Sequence, residues 1–165
     1  MLTQERLKEQ LHYDEATGIF TWRLARQGVR SGSVAGTVRP NGYIAIKIDR
    51  RLYLAHRLAW FYVYGEFPPA DIDHINCMKS DNRIVNLRLA TSSENQMNVQ
   101  IQSNNTSGFK GVTWHKKRGK WQAQSKLNGK YRFLGYFPSA EAASEAYQAF
   151  AKRHHGEFYL STEAA

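Results

Sequence analysis

Residues 71–98 read DIDHINCMKSDNRIVNLRLATSSENQMN. An acid and a histidine stand side by side, Asp73-His74, followed by a series of asparagines, few apolar residues and the chain's single cysteine, Cys77. A stable core does not need this pattern. Phosphodiester hydrolysis at neutral pH does, because it needs a metal near the scissile phosphate and a base for the attacking water. Adjacent strand residues point to opposite faces, so Asp73 and His74 fit a strand end, carboxylate toward a metal and imidazole toward water. NCMKSDNR reads as a polar turn-forming loop and IVNLRL as a returning strand. TSSE is a capping box in which Thr91 caps a helix and Glu94 reaches back, setting Asn95 in the first turns. Oxygen ligands from a carboxylate and an amide suit one hard divalent cation, magnesium or manganese.

The rest of the chain fits a polyanionic partner. Its 165 residues, 42% of them hydrophobic, carry 23 basic against 14 acidic side chains, a formal net charge of +9. Such an excess favours nucleic acid, where phosphate neutralisation drives affinity. Residues 107–160 hold ten Lys/Arg against three acids, residues 1–50 eight against five, and residues 51–106 five against five. The flanks are basic and the centre is neutral, as for two DNA-holding arms around a segment whose acids have another task. One cysteine excludes an internal disulfide and any Cys-pair zinc site. No apolar run approaches the roughly 20 residues that span a bilayer, and MLTQERLKEQL lacks a signal-peptide pattern. The expectation is a cytoplasmic protein with no membrane partner.

Along the chain, TQERLKEQLHY predicts a short helix capped by Thr3. GIFTWRL, GSVAGTV and GYIAIKID predict strands, and RLYLAHRLAWFYVYG a strand running into a helix that ends near Gly65. QIQSNNTSG (100–108) is polar and turn-rich. GFKGVTWHKK, KWQAQSKLNG and KYRFLGYF then predict three antiparallel strands, with LNGK the tightest hairpin signal. SAEAASEAYQAFAKRHHG predicts a helix capped by Ser139 and stopped by Gly156, with Ala143, Tyr147, Phe150 and His154 on one face.

The order Asp73-His74, Asp81-Asn82-Arg83, Asn86-Leu87, Glu94-Asn95 resembles the HNH endonucleases, specifically the subgroup of phage and intron-encoded homing enzymes. The resemblance extends upstream through HRLAWFYVYG and covers about residues 51–99. It implies a two-strand ribbon and a helix around one divalent metal, with Asp73 and Asn95 as ligands. It also implies that His74 is the general base, oriented by Asn86 across the loop. Cys77 stands where many relatives have a glycine. His56, before Arg57, is given no role, since a buried histidine at a helix start serves structure equally. Arg83 and Arg88 are candidates for gripping phosphates, or are solvated loop and strand residues.

Residues 107 to about 158 resemble the ethylene-response-factor (APETALA-type) DNA-binding domain, through Gly111-Val112, Gly119-Lys120-Trp121, Leu134-Gly135 and Phe137. Such domains lay a three-stranded sheet in the major groove. The alternation in WQAQSK independently gives Gln122, Gln124 and Lys126 one face, with Trp121, Ala123 and Ser125 on the other. Glutamine can pair with adenine edges and lysine with guanine or phosphate. Lys110 is a further candidate reader, and Tyr131 and Phe133 share the exposed face by the resemblance. Lys116, Lys117 and Arg118 form a charged turn suited to phosphates. Thr113 departs from the plant pattern, so the plant target sequence does not carry over.

The expectation is therefore an α+β chain. It has a β-rich DNA-contacting segment (1–50), a β-β-α-metal HNH nuclease core (51–99), a linker (100–106) and a carboxyl-terminal sheet packed on one helix (107–160). The expected function is site-selective, metal-dependent cleavage of double-stranded DNA, homing-type. A monomer would nick one strand per binding event, and cleavage of both would need a dimer or a second engagement. The rival reading is a non-catalytic DNA-binding regulator on an HNH scaffold. RNA binding, by stacking bases on Tyr131 and Phe133, is a weaker third.

Overall fold

A computed structural model describes residues 2–98, 101, 105–127 and 129–155, arranged as two compact units, 1–90 and 91–165. In the first unit, α1 (Gln4–Gln10) starts where the Thr3 hydroxyl accepts the Arg6 amide at 3.1 Å. The helix stops earlier than the sequence predicts. Leu11 and Tyr13 alternate with polar neighbours, and Leu11–Asp14 is strand β1, paired antiparallel with β2 (Ile19–Trp22). Leu11, Tyr13, Phe20 and Trp22 thereby point into the core, which a helix through Tyr13 could not achieve with period two. The expected GSVAGTV strand is reduced to β3 (Thr37–Val38), at the edge of a sheet ordered β3-β4-β5 with β4 (Ile44–Ile48) and β5 (Arg51–Leu54). Ile48 pairs with Arg51 across a two-residue turn, Asp49-Arg50, both at positive φ. That is the left-handed geometry that matches strand twist in tight hairpins.

β5 runs directly into α2 (Ala55–Tyr64), which ends at left-handed Gly65. Its buried face, Ala55, Leu58, Ala59 and Phe61, shares one core with Leu7, Leu11, Ile46, Ile48, Ile72 and Leu87. Full burial of a Leu or Ile side chain contributes about 1.5–3 kcal/mol before entropy is charged against it. The same core takes in residues on both sides of position 50. By packing, the chain divides at 90/91, whereas the sequence reading divides it at 50, 99 and 106. Strand β6 (Asp71–His74) pairs with β7 (Leu87–Ala90); a 3-10 turn, Ile84–Asn86, occupies the first half of the expected returning strand.

In the second unit, α3 (Ser92–Met97) begins with the expected capping box, Thr91 and Glu94. Strands β8 (Val112–His115), β9 (Lys120–Leu127) and β10 (Lys130–Phe137) form an antiparallel sheet ordered β10-β9-β8. Helix α4 (Ala140–His155) packs on it, capped by Ser139, whose hydroxyl accepts the Ala142 amide at 3.1 Å. The buried stripe of α4 is Ala140, Ala143, Ser144, Tyr147 and Ala151; His154 is exposed and packs on Phe150 at 4.3 Å instead of facing the sheet. The expected stop at Gly156, Asn128 of the hairpin and most of the 100–106 linker lie outside the described residues. Gly111, at φ 72°, is compulsory, because a Cβ there would run into the Tyr147 ring and the Gln124 carbonyl. Among the described residues no helix is long and apolar enough to cross a membrane.

Candidate active site and nucleic-acid face

Strand β6 buries three consecutive residues, Ile72, Asp73 and His74, so two polar side chains are taken out of water at its end. A buried carboxylate needs a compensating charge or hydrogen bonds. Asp73 has both in Arg88, its partner across the hairpin, whose Nε and terminal nitrogen donate to Oδ2 at 2.8 and 2.7 Å. The guanidinium of Arg88 is itself nearly buried. Arg83 pairs instead with Asp81, at 2.6–2.8 Å, and holds that carboxyl down at about 2.

The loop between β6 and β7 is cross-braced by amides. Asn86 Oδ1 accepts the Asn76 amide at 3.0 Å; its Nδ2 donates to Asn76 Oδ1 at 3.0 Å and to the Asp81 carbonyl at 2.9 Å. Asn76 Nδ2 donates to Asp81 Oδ2 at 2.7 Å. Cys77 accepts a left-handed φ of 60° where a glycine would be unstrained, and its amide donates to the His74 carbonyl at 2.8 Å. From outside, the Tyr13 hydroxyl donates to the Asn82 carbonyl at 2.7 Å, and Gly18 abuts the Asn82–Arg83 backbone so closely that no side chain fits. Asn86 thus acts on the loop, and the side chain facing the His74 ring is Asn82, buried, with Oδ1 3.5 Å from His74 Nε2.

Around His74 stand two rings from other parts of the chain. His56, in the first turn of α2, meets its ring edge-on, centroids 5.1 Å apart and planes at 80°. Tyr43 lies 5.2 Å from His56 and 5.9 Å from His74. Lys79 reaches back to the Asn41 carbonyl at 3.1 Å and over the Tyr43 ring at 5.0 Å. Burial pushes His74 below the ordinary histidine range, opposed by Asn82 and the nearby Asp73 and Asp81. Burial, with His74 and Arg57 adding, drives His56 down to about 3. Burial raises Tyr43, reinforced by Asp73 and Asp71. Both imidazoles are neutral at pH 7. Sequence reasoning missed Tyr43 and gave Asn82 no task. The signal for Asn82 was present in Asp81-Asn82-Arg83; for Tyr43 there was none.

The Asp73 carboxylate is an oxygen donor of the kind a hard cation takes, and among the described residues no three His, Cys, Asp or Glu side chains cluster to hold a metal. Asp73 presents a carboxylate held out of water against positive charge, and hard oxygen donors are what magnesium and manganese take. Asn95, expected to be the second ligand, lies in α3 of the other unit, where its amide N–H donates to the Thr91 carbonyl at 3.0 Å.

In the second unit, Cα partners share a face, which puts Gln122 with Tyr136, Gln124 with Phe133 and Lys126 with Tyr131. Ala123 and Ser125 are buried on the opposite face, toward α4. Tyr131 and Phe133 are 71% and 57% exposed, a large apolar area to leave in water. Gln122 donates to Gln124 at 3.2 Å, and Lys126 lies over the Tyr131 ring at 5.9 Å. Arg118, at the β8–β9 turn with Lys116 and Lys117, lies over Tyr136 at 4.8 Å. Lys110 is half-buried in the turn before β8.

Comparison with known proteins gives three findings. Protein 3.8 of Escherichia phage T7 is 37% identical over 76 residues, which are 46% of this chain and 63% of that protein. A solved structure titled "DNA binding and cleavage by the HNH homing endonuclease I-HmuI" aligns at 18% identity and a TM-score of 0.40, covering 82% of this chain and 76% of that one. Residues 53–97, the stretch that includes His56, Asp73, His74, Asn86 and Asn95, match the family profile described as HNH endonuclease.

Proposed function

We propose that the chain is a site-selective, metal-dependent DNA endonuclease of the homing type. The observation that carries the reading is the pair Asp73-His74, buried at the end of β6 within the HNH-matched stretch. His74, neutral, takes the proton from the attacking water on its unprotonated ring nitrogen. The water oxygen bonds to phosphorus, the bond to the leaving sugar oxygen breaks, and that oxygen is protonated. Asp73 and Asn95 would hold one magnesium or manganese ion, which when bound would withdraw charge from the phosphate oxygens. Asn86 and Asn82 keep the loop and imidazole in place.

The partner is double-stranded DNA. The carboxyl module (107–160), on its ethylene-response-factor resemblance, reads base edges with Gln122, Gln124 and Lys126 and grips phosphates with Lys116, Lys117 and Arg118. Lys110 and Tyr131 complete its contact face. Arg83 and Arg88 are already engaged by Asp81 and Asp73, which favours a supporting role at the site over phosphate gripping. One active site in a monomer nicks one strand per engagement. The test is incubation of randomised duplex DNA with the protein and magnesium, with cut ends mapped on both strands. Binding without any cut would favour the non-catalytic regulator.

A further inference from the structure

The proposed mechanism leaves the two rings around the base without a task. His56 is 5% exposed, and its Nδ1 is buried with no hydrogen-bond partner. An unsatisfied buried nitrogen costs about 1–3 kcal/mol, so a slot that needed only bulk would be better filled by an apolar ring. His56 nevertheless stands edge-on to His74, at 80° and 5.1 Å, the T-shaped arrangement that aromatic pairs prefer. Tyr43 tilts against both imidazoles at 5.2 and 5.9 Å, making a closed three-ring cluster. Tyr43 is itself fixed from behind by Lys79, which is tied to the Asn41 carbonyl. On the other side of His74, Asn82 Oδ1 lies 3.5 Å from Nε2.

We infer that His56 and Tyr43 are positioning residues, a ring clamp that fixes the plane of the His74 imidazole so that its unprotonated nitrogen faces the attacking water. The inference rests on the nuclease reading and deepens it. A base has to be held within about 0.5 Å and 10–20° of its productive geometry. A misplacement of about 1 Å costs on the order of 10²-fold in rate. The clamp works through shape and not through a hydrogen bond, since the His56 Nδ1 makes none. Phenylalanine at 56 should therefore preserve it and leucine should not.

The test uses the full-length chain and a supercoiled plasmid that the wild type nicks in magnesium, with His74→Ala as the inert control. Single-turnover nicking, DNA affinity and thermal midpoint are measured for His56→Phe, His56→Leu and Tyr43→Leu. The clamp predicts that both leucine variants nick roughly 10–100-fold more slowly at unchanged DNA affinity. It predicts that His56→Phe keeps most of the rate and melts higher, because the orphaned nitrogen is gone. In imidazole 15N spectra, His74 should show one tautomer in the wild type and His56→Phe, and a mixture in His56→Leu. The clamp is overturned if His56→Leu nicks at the wild-type rate, or if His56→Phe is as slow as His56→Leu. If the leucine variants do not fold, His56→Phe decides: fast supports the clamp, slow overturns it. A wild type that nicks no faster than His74→Ala rejects the nuclease reading and the clamp with it, whereas an active wild type with an equally active His56→Leu rejects the clamp alone.

Discussion

Replacing Arg88 by methionine keeps the length of its stem and removes the charge that faces Asp73. Both side chains are shielded, at 6% and 14% exposure, and two donors converge on one carboxylate oxygen at 2.7–2.8 Å. Screening by water is therefore weak. Breaking a buried pair from one side typically costs about 3–5 kcal/mol, because the remaining charge stays buried without its partner. In a unit of 90 residues each kcal/mol moves the midpoint by about 4–8 °C, so Arg88→Met should lower it by at least about 12 °C. Adding Asp73→Asn removes the stranded charge, and the double variant should recover most of the loss. The assay is a double-mutant cycle by urea denaturation in EDTA, with an expected coupling of about 2–3 kcal/mol. Magnesium should then stabilise Arg88→Met more than the wild type, since a cation at Asp73 takes the place of the lost guanidinium. Additive single and double variants, with no coupling, would show that the Arg88–Asp73 pair does not contribute to stability.

Three further outcomes follow from the packing and charges described. Gly111→Ala should destabilise the second unit by about 2–5 kcal/mol, combining left-handed strain with overpacking against Tyr147. Gly119→Ala, also at positive φ but in open space, should cost only about 1–2 kcal/mol in the same denaturant melts. Stability should fall on acidification. His56 titrates near 3 in the folded chain, below the ordinary 6.5, so the unfolded state binds more protons between these values. The His56 contribution is whole above about 6.5 and shrinks by about 1.4 kcal/mol per unit as pH falls, giving about 2–3 kcal/mol lost by pH 4.5; urea melts that do not change over that range would contradict it. Replacing Lys116, Lys117 and Arg118 together by alanine should flatten the log–log salt dependence of DNA binding by up to about 0.9 for each phosphate that is no longer neutralised. An unchanged slope would take that turn off the DNA.

What could be read from the sequence was chemistry held within short spacing. The β6–β7 hairpin that carries Asp73 and His74 and the Thr91–Glu94 capping box both follow from rules that act over a few residues. The alternation in β9 likewise separated Gln122, Gln124 and Lys126 from Ala123 and Ser125, because strand periodicity is local. The surroundings of the base were not legible in this way. Tyr43 and His56 arrive from a different sheet and helix, and nothing in their own neighbourhood announces that both rings close on His74. The overrun of α1 has a related cause: LKEQLHY satisfies helical and strand periods alike until Ile19–Trp22 supplies a pairing partner. The same limit hid the role of Tyr13, whose hydroxyl braces the loop carrying Asn82 from 69 residues away in sequence.

The most direct measurement is strand cleavage of a mapped duplex by the wild type and by His74→Ala at equal DNA occupancy, each in magnesium and in EDTA. Loss of a general base costs about 10²–10⁴-fold, so the account predicts magnesium-dependent nicking by the wild type and a drop of that order in the variant. DNA affinity should stay near wild type, because the basic flanks and not the imidazole supply it. Equal cleavage by the two proteins, or full activity in EDTA, would contradict it.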